Sequence, residues 1–366
     1  MSNPSQPSRL HRGLVRTSVF LIATLASIGI AEVVARLVFP GTYQLSVRFM
    51  LPGGELAPIA ESLHYLFHSR DLERTDRSTP RGLFPPDVHL RQAYDRPQWD
   101  YFDRDGAVAI TTNGLGFRDD EFPVAKPSGE LRILAVGDSF TYGLGVPLEL
   151  TWPQRVERAL DRADRPVQVI NAGCPNTSPA TLLEWFQSDG IAFEPDIVIV
   201  GLCLNDMSAE VPMLAYETPK IEHPWLGGCS LLLNHVQREI AQRALMVKKL
   251  DYGDKVREHP TEWQATQSAL LEMRRVTEEH GARFGIVVQP MMSQLGELYP
   301  YVSLHEMVAE FCAAHTITTV DLLPTFRGRD ERALWVHPTD QHPNAVGHEL
   351  IARDVVTFLE RVGFVE

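Results

Sequence analysis

From residue 131 onward, short apolar runs alternate with longer stretches in which apolar residues recur every three or four positions. Leu131 to Val136 is largely apolar and partly β-branched, and it stops at Gly137, as a buried strand does on reaching the edge of its sheet. The same pattern predicts strands at Val167–Asn171, Pro195–Leu202, Phe284–Gln289 and Thr316–Leu322. Helices are predicted at Trp152–Ala163, Ser178–Asp189, Ala265–His280, Leu304–His315 and Ala345–Arg361. Such alternation implies right-handed crossovers and a parallel sheet covered on both faces. The expected fold class is α/β, a flavodoxin-like three-layer αβα sandwich with a five-stranded parallel sheet. Strand order 2-1-3-4-5 places the strand ending at Gly137 between those ending at Asn171 and Leu202.

The amino-terminal part reads differently. The first sixteen residues hold Arg9, Arg12 and Arg16 and no acid, and Thr17 to Ala31 is uncharged. Counted on to Phe39, this segment is about 34 Å long as a helix, enough to cross roughly 30 Å of hydrocarbon. Glu32 and Arg36 lie one turn apart near its far end, where they can face each other and Arg36 can snorkel. Residues 1–16 then read as a cytoplasmic tail and 17–39 as a transmembrane signal anchor. Residues 40–366 are expected beyond an inner membrane, on the periplasmic side. Gly29-Ile30-Ala31 offers small residues for the alternative, a cleaved signal peptide, whereas the apolar character that resumes from Val33 to Phe39 favours the anchor.

Residues 40–128 read as an extension, loop-rich up to residue 110, with a strand at Ala107–Thr112. A turn follows at 112–118, where Asn113-Gly114 favours positive φ. Residues 129–366 form the main domain, interrupted by an insertion at 207–262 in which Leu232, Val236 and Ile240 mark one helix face. A lid over the sheet's carboxyl edge and a helix on the domain's flank both fit that insertion.

With 366 residues and 44% hydrophobic content the chain can bury a full core, and its net charge of −13 argues against a nucleic-acid partner. Of the four cysteines, Cys174 and Cys203 end strands that flank the one before Gly137. Two strand spacings, roughly 10 Å, are too long for a disulfide, so both are expected as core thiols near the strand ends. Cys229 and Cys312 carry no such expectation.

The turn after Gly137 delivers Asp138 and Ser139 to the carboxyl edge of the sheet, where open α/β folds hold their ligands. A serine hydroxyl becomes a useful nucleophile only when a base takes its proton. The tail supplies one in Asp340-Gln341-His342-Pro343-Asn344, just before the last helix. Between these ends lie Asn171-Ala172-Gly173 and Gly201-Leu202-Cys203-Leu204-Asn205-Asp206, each closing an apolar run. Gly-Asp-Ser, Gly, Asn-Asp and Asp with His, in that order over roughly residues 110 to 366, resemble the SGNH (GDSL-type) hydrolase family.

That resemblance implies Ser139 as nucleophile, His342 as general base and Asp340 as the group that orients the imidazole. It also implies an oxyanion hole made by the backbone amides of Ser139 and Gly173 and the side-chain amide of Asn205. Asp138 is read as structural. The usual spacing in the family is Asp-x-x-His, but Thr339 stands three before His342, and the aspartate stands two before it. Some relatives, resembling polysaccharide O-acetyltransferases, use Asp-x-His. A Ser139/His342 dyad with a backbone carbonyl as orienter is the alternative. The stretch Asn113-x-x-Gly116-Phe117-Arg118 is similar to one that precedes the nucleophile strand in membrane-tethered relatives.

No metal or other cofactor is expected. His337, His342 and His348 are separated by Pro338 and Pro343, which break any helix that would align them. Asp321 reads as a turn former at a strand end, and Gly143-Leu144-Gly145 lacks the third glycine of a dinucleotide loop. The expectation is an exported serine esterase acting on a small-molecule or glycan ester, most readily an O-acetyl group on a cell-surface carbohydrate. The alternatives are an O-acyltransferase acting on an exported polysaccharide and an inactive glycan-binding scaffold.

Overall fold

The structure is a computed structural model that describes residues 9–38, 48–50, 56–57, 79–94, 98–207, 230, 252–338 and 340–366. The chain divides into two compact units, one of residues 1–43 with 216–248, the other of residues 44–215 with 249–366.

In the first unit, helix α1 spans Arg9–Val38. It begins well before the uncharged run because Leu10, Arg12, Leu14 and Arg16 are themselves good helix formers. Ser18–Ala35, with mean hydropathy 2.1, is long and apolar enough to cross a membrane, a test that a signal sequence also passes. Glu32 accepts a hydrogen bond from Ser230 Oγ at 2.8 Å. The predicted helix face at 232–240 lies outside the described residues.

The second unit opens with strands β1 (Arg48–Met50), β2 (Leu56–Ala57), β3 (His89–Ala93) and β4 (Ala107–Thr111). They form an antiparallel sheet in the order β2-β1-β3-β4. Of these only β4 was expected; β1, β2 and β3 are short strands within the stretch read as loop-rich. Strand β3 reads His-Leu-Arg-Gln-Ala and shows no apolar alternation, because its buried face carries Leu90 and the polar Gln92 together.

The main sheet consists of β5 (Leu131–Gly137), β6 (Val167–Gly173), β7 (Ile197–Cys203), β8 (Arg283–Gln289) and β9 (Thr318–Asp321). All are parallel, in the order β6-β5-β7-β8-β9, which is the expected topology. Every residue of β7 is buried, which is why it reads as an unbroken apolar run. The chain turns back after β6, so right-handed crossovers put the connections before and after β6 on opposite faces. Helices α3 (Trp152–Leu160) and α9 (Ala345–Arg361) pack together on one face, and α4 (Pro179–Trp185) and α6 (Thr261–Glu279) on the other. Short α2 (Ser139–Tyr142), α5 (Tyr252–Glu258), α7 (Val302–Ala314) and α8 (Leu323–Phe326) complete the described helices. The predicted helix to Asp189 instead ends at Trp185 and passes into a wider turn over Phe186–Gly190. A hairpin that sequence patterning did not reveal, β10 (Trp335–His337) with β11 (Asp340–Pro343), precedes α9.

Three glycines stand side by side where the sheet meets α2. Gly137 pairs in register with Gly173 on one side and Gly201 on the other. A Cβ on Gly173 would collide with the backbone of Thr141 and Tyr142, and one on Gly201 would come to 2.5 Å from Thr141 Oγ1. The helix after β5 therefore rests directly on backbone. Gly173→Ala is expected to destabilise the fold by about 1–3 kcal/mol, the usual penalty of overpacking a tight core. Urea unfolding measures it, and an unchanged midpoint would contradict the close approach.

Candidate active site

Ser139 opens α2 immediately after β5. Asp138 caps that helix, its Oδ1 accepting from Phe140 N at 2.9 Å, while its other oxygen is buried without a hydrogen-bond partner. The carboxyl-terminal end of the turn is held by Arg118, which is completely buried. Its Nη1 donates to Tyr142 O at 2.8 Å and to Gly143 O, its Nη2 donates to Val146 O at 2.5 Å, and its guanidinium lies 4.9 Å from the Tyr142 ring centre. Unpaid carbonyls at a helix end carry partial negative charge, so a cation is well placed there.

The motif containing Arg118 explains how it gets there. Asn113 Oδ1 accepts from Leu115 N and Phe117 N, both at 3.0 Å, and Asn113 Nδ2 donates to Asp120 O at 2.9 Å, so one side chain shapes the whole turn. Positive φ falls at Gly116, at 83°, rather than at Gly114. A Cβ on Gly116 would collide with Phe84 O. Phe117 is buried against Phe122 and Phe193, which leaves Arg118 pointing at α2.

His342 reaches Ser139 from the other end of the chain. Its Nε2 lies 2.9 Å from Ser139 Oγ, and its Nδ1 lies 2.5 Å from Asp340 Oδ1, so a single line joins carboxylate, imidazole and hydroxyl. Asp340 and His342 are both on β11. Residues two apart on a strand share a face, which is why an Asp-x-His spacing suffices here. Asn344 then caps α9, its Oδ1 accepting from Val346 N at 3.0 Å and Gly347 N at 3.1 Å. Asn205 lies in the turn after β7, beside the Asp138 carboxyl, whose charge it favours.

Gly173 does not present its amide to Ser139. The N–H is taken by Asn171 Oδ1 at 3.1 Å, and the absent side chain makes room for α2 behind the nucleophile rather than for a ligand in front of it. The next amide, Cys174 N, donates to Gly137 O at 2.8 Å, and Pro175 has none. Asn176 follows at φ 60°, exposed, and no described backbone carbonyl accepts from its N–H. The only signal for this in the sequence is the tolerance of asparagine for left-handed backbone.

Charge is concentrated at the site. Burial pushes the Asp138 carboxyl up to about 6, although Phe140 N–H, His342 and Asn205 pull the other way. Burial by itself would raise Asp340 and lower His342, but their mutual attraction and hydrogen bond reverse both, leaving Asp340 below and His342 above the ordinary value. Asp206, buried near Asp138, is pushed well up, first by burial and then by that neighbour's charge. His348 accepts from Trp152 N at 3.2 Å and His337 lies against the Tyr94 ring, so the three histidines serve separate ends. Asp321 accepts from Leu323 N at 2.9 Å, a turn former as expected. Cys174 and Cys203 are buried and neither forms a disulfide; Cys229 lies outside the described residues.

The family model for GDSL-like lipase/acylhydrolase proteins matches residues 135–350. The chain is similar to a two-domain esterase active on acetylated mannans, at 18% identity over 65% of this chain and 51% of that one, TM-score 0.41. It is also similar to the psychrotrophic esterase EstA of Pseudoalteromonas sp., at 13% identity over 64% and 99%, TM-score 0.41. A third likeness is to a member of the lipolytic G-D-S-L family from Veillonella parvula DSM 2008, at 14% identity over 63% and 99%, TM-score 0.38. No curated protein matches the chain in sequence.

The pairing with Asp340 has a measurable sign. In an NMR titration His342 is expected to take its proton above the ordinary value of about 6.5, and Asp340→Asn should bring it below that value, because burial is then opposed only by the more distant Asp138. Unchanged titration in the variant would contradict the pairing.

Proposed function

The chain belongs to the GDSL-like lipase/acylhydrolase family, SGNH-type hydrolases acting on ester bonds, and on that premise we propose a serine esterase that works through an acyl-enzyme on Ser139. The observation that carries this reading is the 2.9 Å contact between Ser139 Oγ and His342 Nε2, made by residues 203 apart in the chain. In this reading His342 Nε2 takes the hydroxyl proton as Ser139 Oγ attacks the ester carbonyl carbon. The tetrahedral intermediate collapses, the alcohol leaves with the proton from His342, and water repeats the sequence to release the acid. Asp340 keeps the imidazole in the tautomer that accepts at Nε2 and steadies its cationic form.

Negative charge on the former carbonyl oxygen needs donors already in place. The amide of Ser139 and the side chain of Asn205 are two of them. With Gly173 and Cys174 N–H engaged and Pro175 lacking one, Asn176 N–H is the third donor in this reading, in place of Gly173. The substrate reading is an O-acetyl ester on a carbohydrate, resting on the Asp-x-His pattern that resembles polysaccharide O-acetyltransferases. Transfer of the acyl group to a sugar hydroxyl is the variant of the same chemistry. With α1 as anchor or signal, the catalytic unit would work on the periplasmic side of an inner membrane.

A fluorophosphonate probe is expected to label Ser139, and labelling should vanish in Ser139→Ala and His342→Ala, with esterase turnover down by about four orders of magnitude or more. Asn205→Ala should cost about 10²–10³ in kcat. Catalysis needs neutral His342, so kcat/KM should fall as pH drops through a value above about 6.5. A profile flat from about pH 5 to 8 would contradict His342 as base. Comparing acid release with acyl transfer to an added glycan distinguishes hydrolase from transferase.

A further inference from the structure

The Ser139–His342–Asp340 line uses only one oxygen of Asp340. The other, Oδ2, accepts from Tyr94 Oη at 2.6 Å. Tyr94 Oη in turn accepts from Gln92 Nε2 at 2.6 Å, and Gln92 Oε1 accepts from Gly145 N at 3.0 Å. Tyr94 and Gln92 are 3% and 1% exposed, so these bonds are shielded from water. Their directions are fixed. A carboxylate can only accept, so Tyr94 must donate to it, and a backbone N–H can only donate, so it must meet the oxygen of Gln92 and leave the amide nitrogen for Tyr94. The path returns to its start, since Gly145 lies six residues beyond Ser139 on the same turn.

Strand β3 and the residue after it supply Gln92 and Tyr94, so both come from the extension and not from the strand-and-helix domain that carries Ser139 and His342. A second bond pair from the extension holds the same hairpin. Trp99 Nε1 lies 2.9 Å from both Trp335 O and Val336 O on β10, the strand paired with the one bearing Asp340. A carboxylate held at one oxygen only can swing about its last torsion. Held at both, it presents Oδ1 to His342 in one orientation.

We infer that Tyr94, supported by Gln92, is a positioning residue for Asp340, so that the extension before residue 129 completes the active site. This deepens the esterase reading above and rests on it. The charged and titratable groups facing the Asp340–His342 pair are Tyr94 and Tyr101 from the extension, His337 of β10, which pairs across the hairpin with Asp340 and lies against the Tyr94 ring, and Asp138 from the turn before α2; Arg118 lies beyond Tyr94, and His348 of α9 beyond His342.

The test uses the full chain and the variants Tyr94→Phe and Gln92→Leu. With p-nitrophenyl acetate, Tyr94→Phe should lower kcat about tenfold, the usual scale for one hydrogen bond to a charged group, with KM within about twofold. Gln92→Leu should lower kcat by less. Removing the phenol leaves more of the carboxylate's charge to His342, so the acid limb and the NMR titration of His342 should both move to higher pH in Tyr94→Phe. Loss of folded protein would instead lower fluorophosphonate labelling in proportion to kcat and leave the limb where it was. An unshifted His342 titration, or unchanged kcat, overturns the assignment of Tyr94. Failure of the wild-type protein to label at Ser139 overturns the esterase reading instead, and the His342 titration still judges Tyr94.

Discussion

A helix can start directly above the carboxyl edge of this sheet only because no side chain stands between them. Gly137, Gly173 and Gly201 lie abreast on three neighbouring strands, and α2 settles onto their backbones. Everything that makes Ser139 chemically interesting follows from that close seat. Its amide stands at the first turn of a helix, its hydroxyl lies within reach of a histidine, and Asp138 is trapped beside it, where burial disfavours its charge. Arg118 pins the other end of the same turn, so the nucleophile's helix is held at both termini although it is only four residues long.

The parallel sheet and the meeting of Ser139 with His342 were legible in the sequence for physical reasons. Strands buried on both faces leave unbroken apolar runs, and the one that stops at Gly137 delivers Ser139 to the sheet edge, while the part of His342 was implied by the resemblance to the SGNH family. The spacing Asp340-x-His342 departs from the family's common form, and the sequence could not say whether the aspartate still reaches the imidazole. The hairpin resolves this through the two-residue period of a strand, but β10 and β11 are three and four residues long and carry Trp, His, Gln and Pro, too little pattern to read.

The misreadings share a cause. Gly173 drew attention because a glycine permits close approach, yet what approaches is the helix behind the nucleophile, and its N–H is spent on Asn171. Nothing in the one-letter string says which side of a glycine is crowded. Strand β3 was missed because Gln92 occupies a buried position that an apolar residue would normally mark. A buried amide of that kind is stable only with its hydrogen bonds satisfied, and of the two partners that satisfy it Tyr94 is local, but Gly145 becomes a neighbour only once the chain is folded. Polar residues in apparent loops are where single-sequence reading loses most, since their meaning lies in contacts across long separations.

The long separation of β11 from the nucleophile has a consequence for biosynthesis. Translation runs from the amino terminus, so the nucleophile, its glycine seat and the Arg118 clamp are all made before the imidazole. The imidazole follows some two hundred residues after the hydroxyl, and the contact it makes has among the longest loops to close in the molecule. A chain that has not yet reached His342 therefore holds an unactivated hydroxyl, and reactivity waits for that long loop to close.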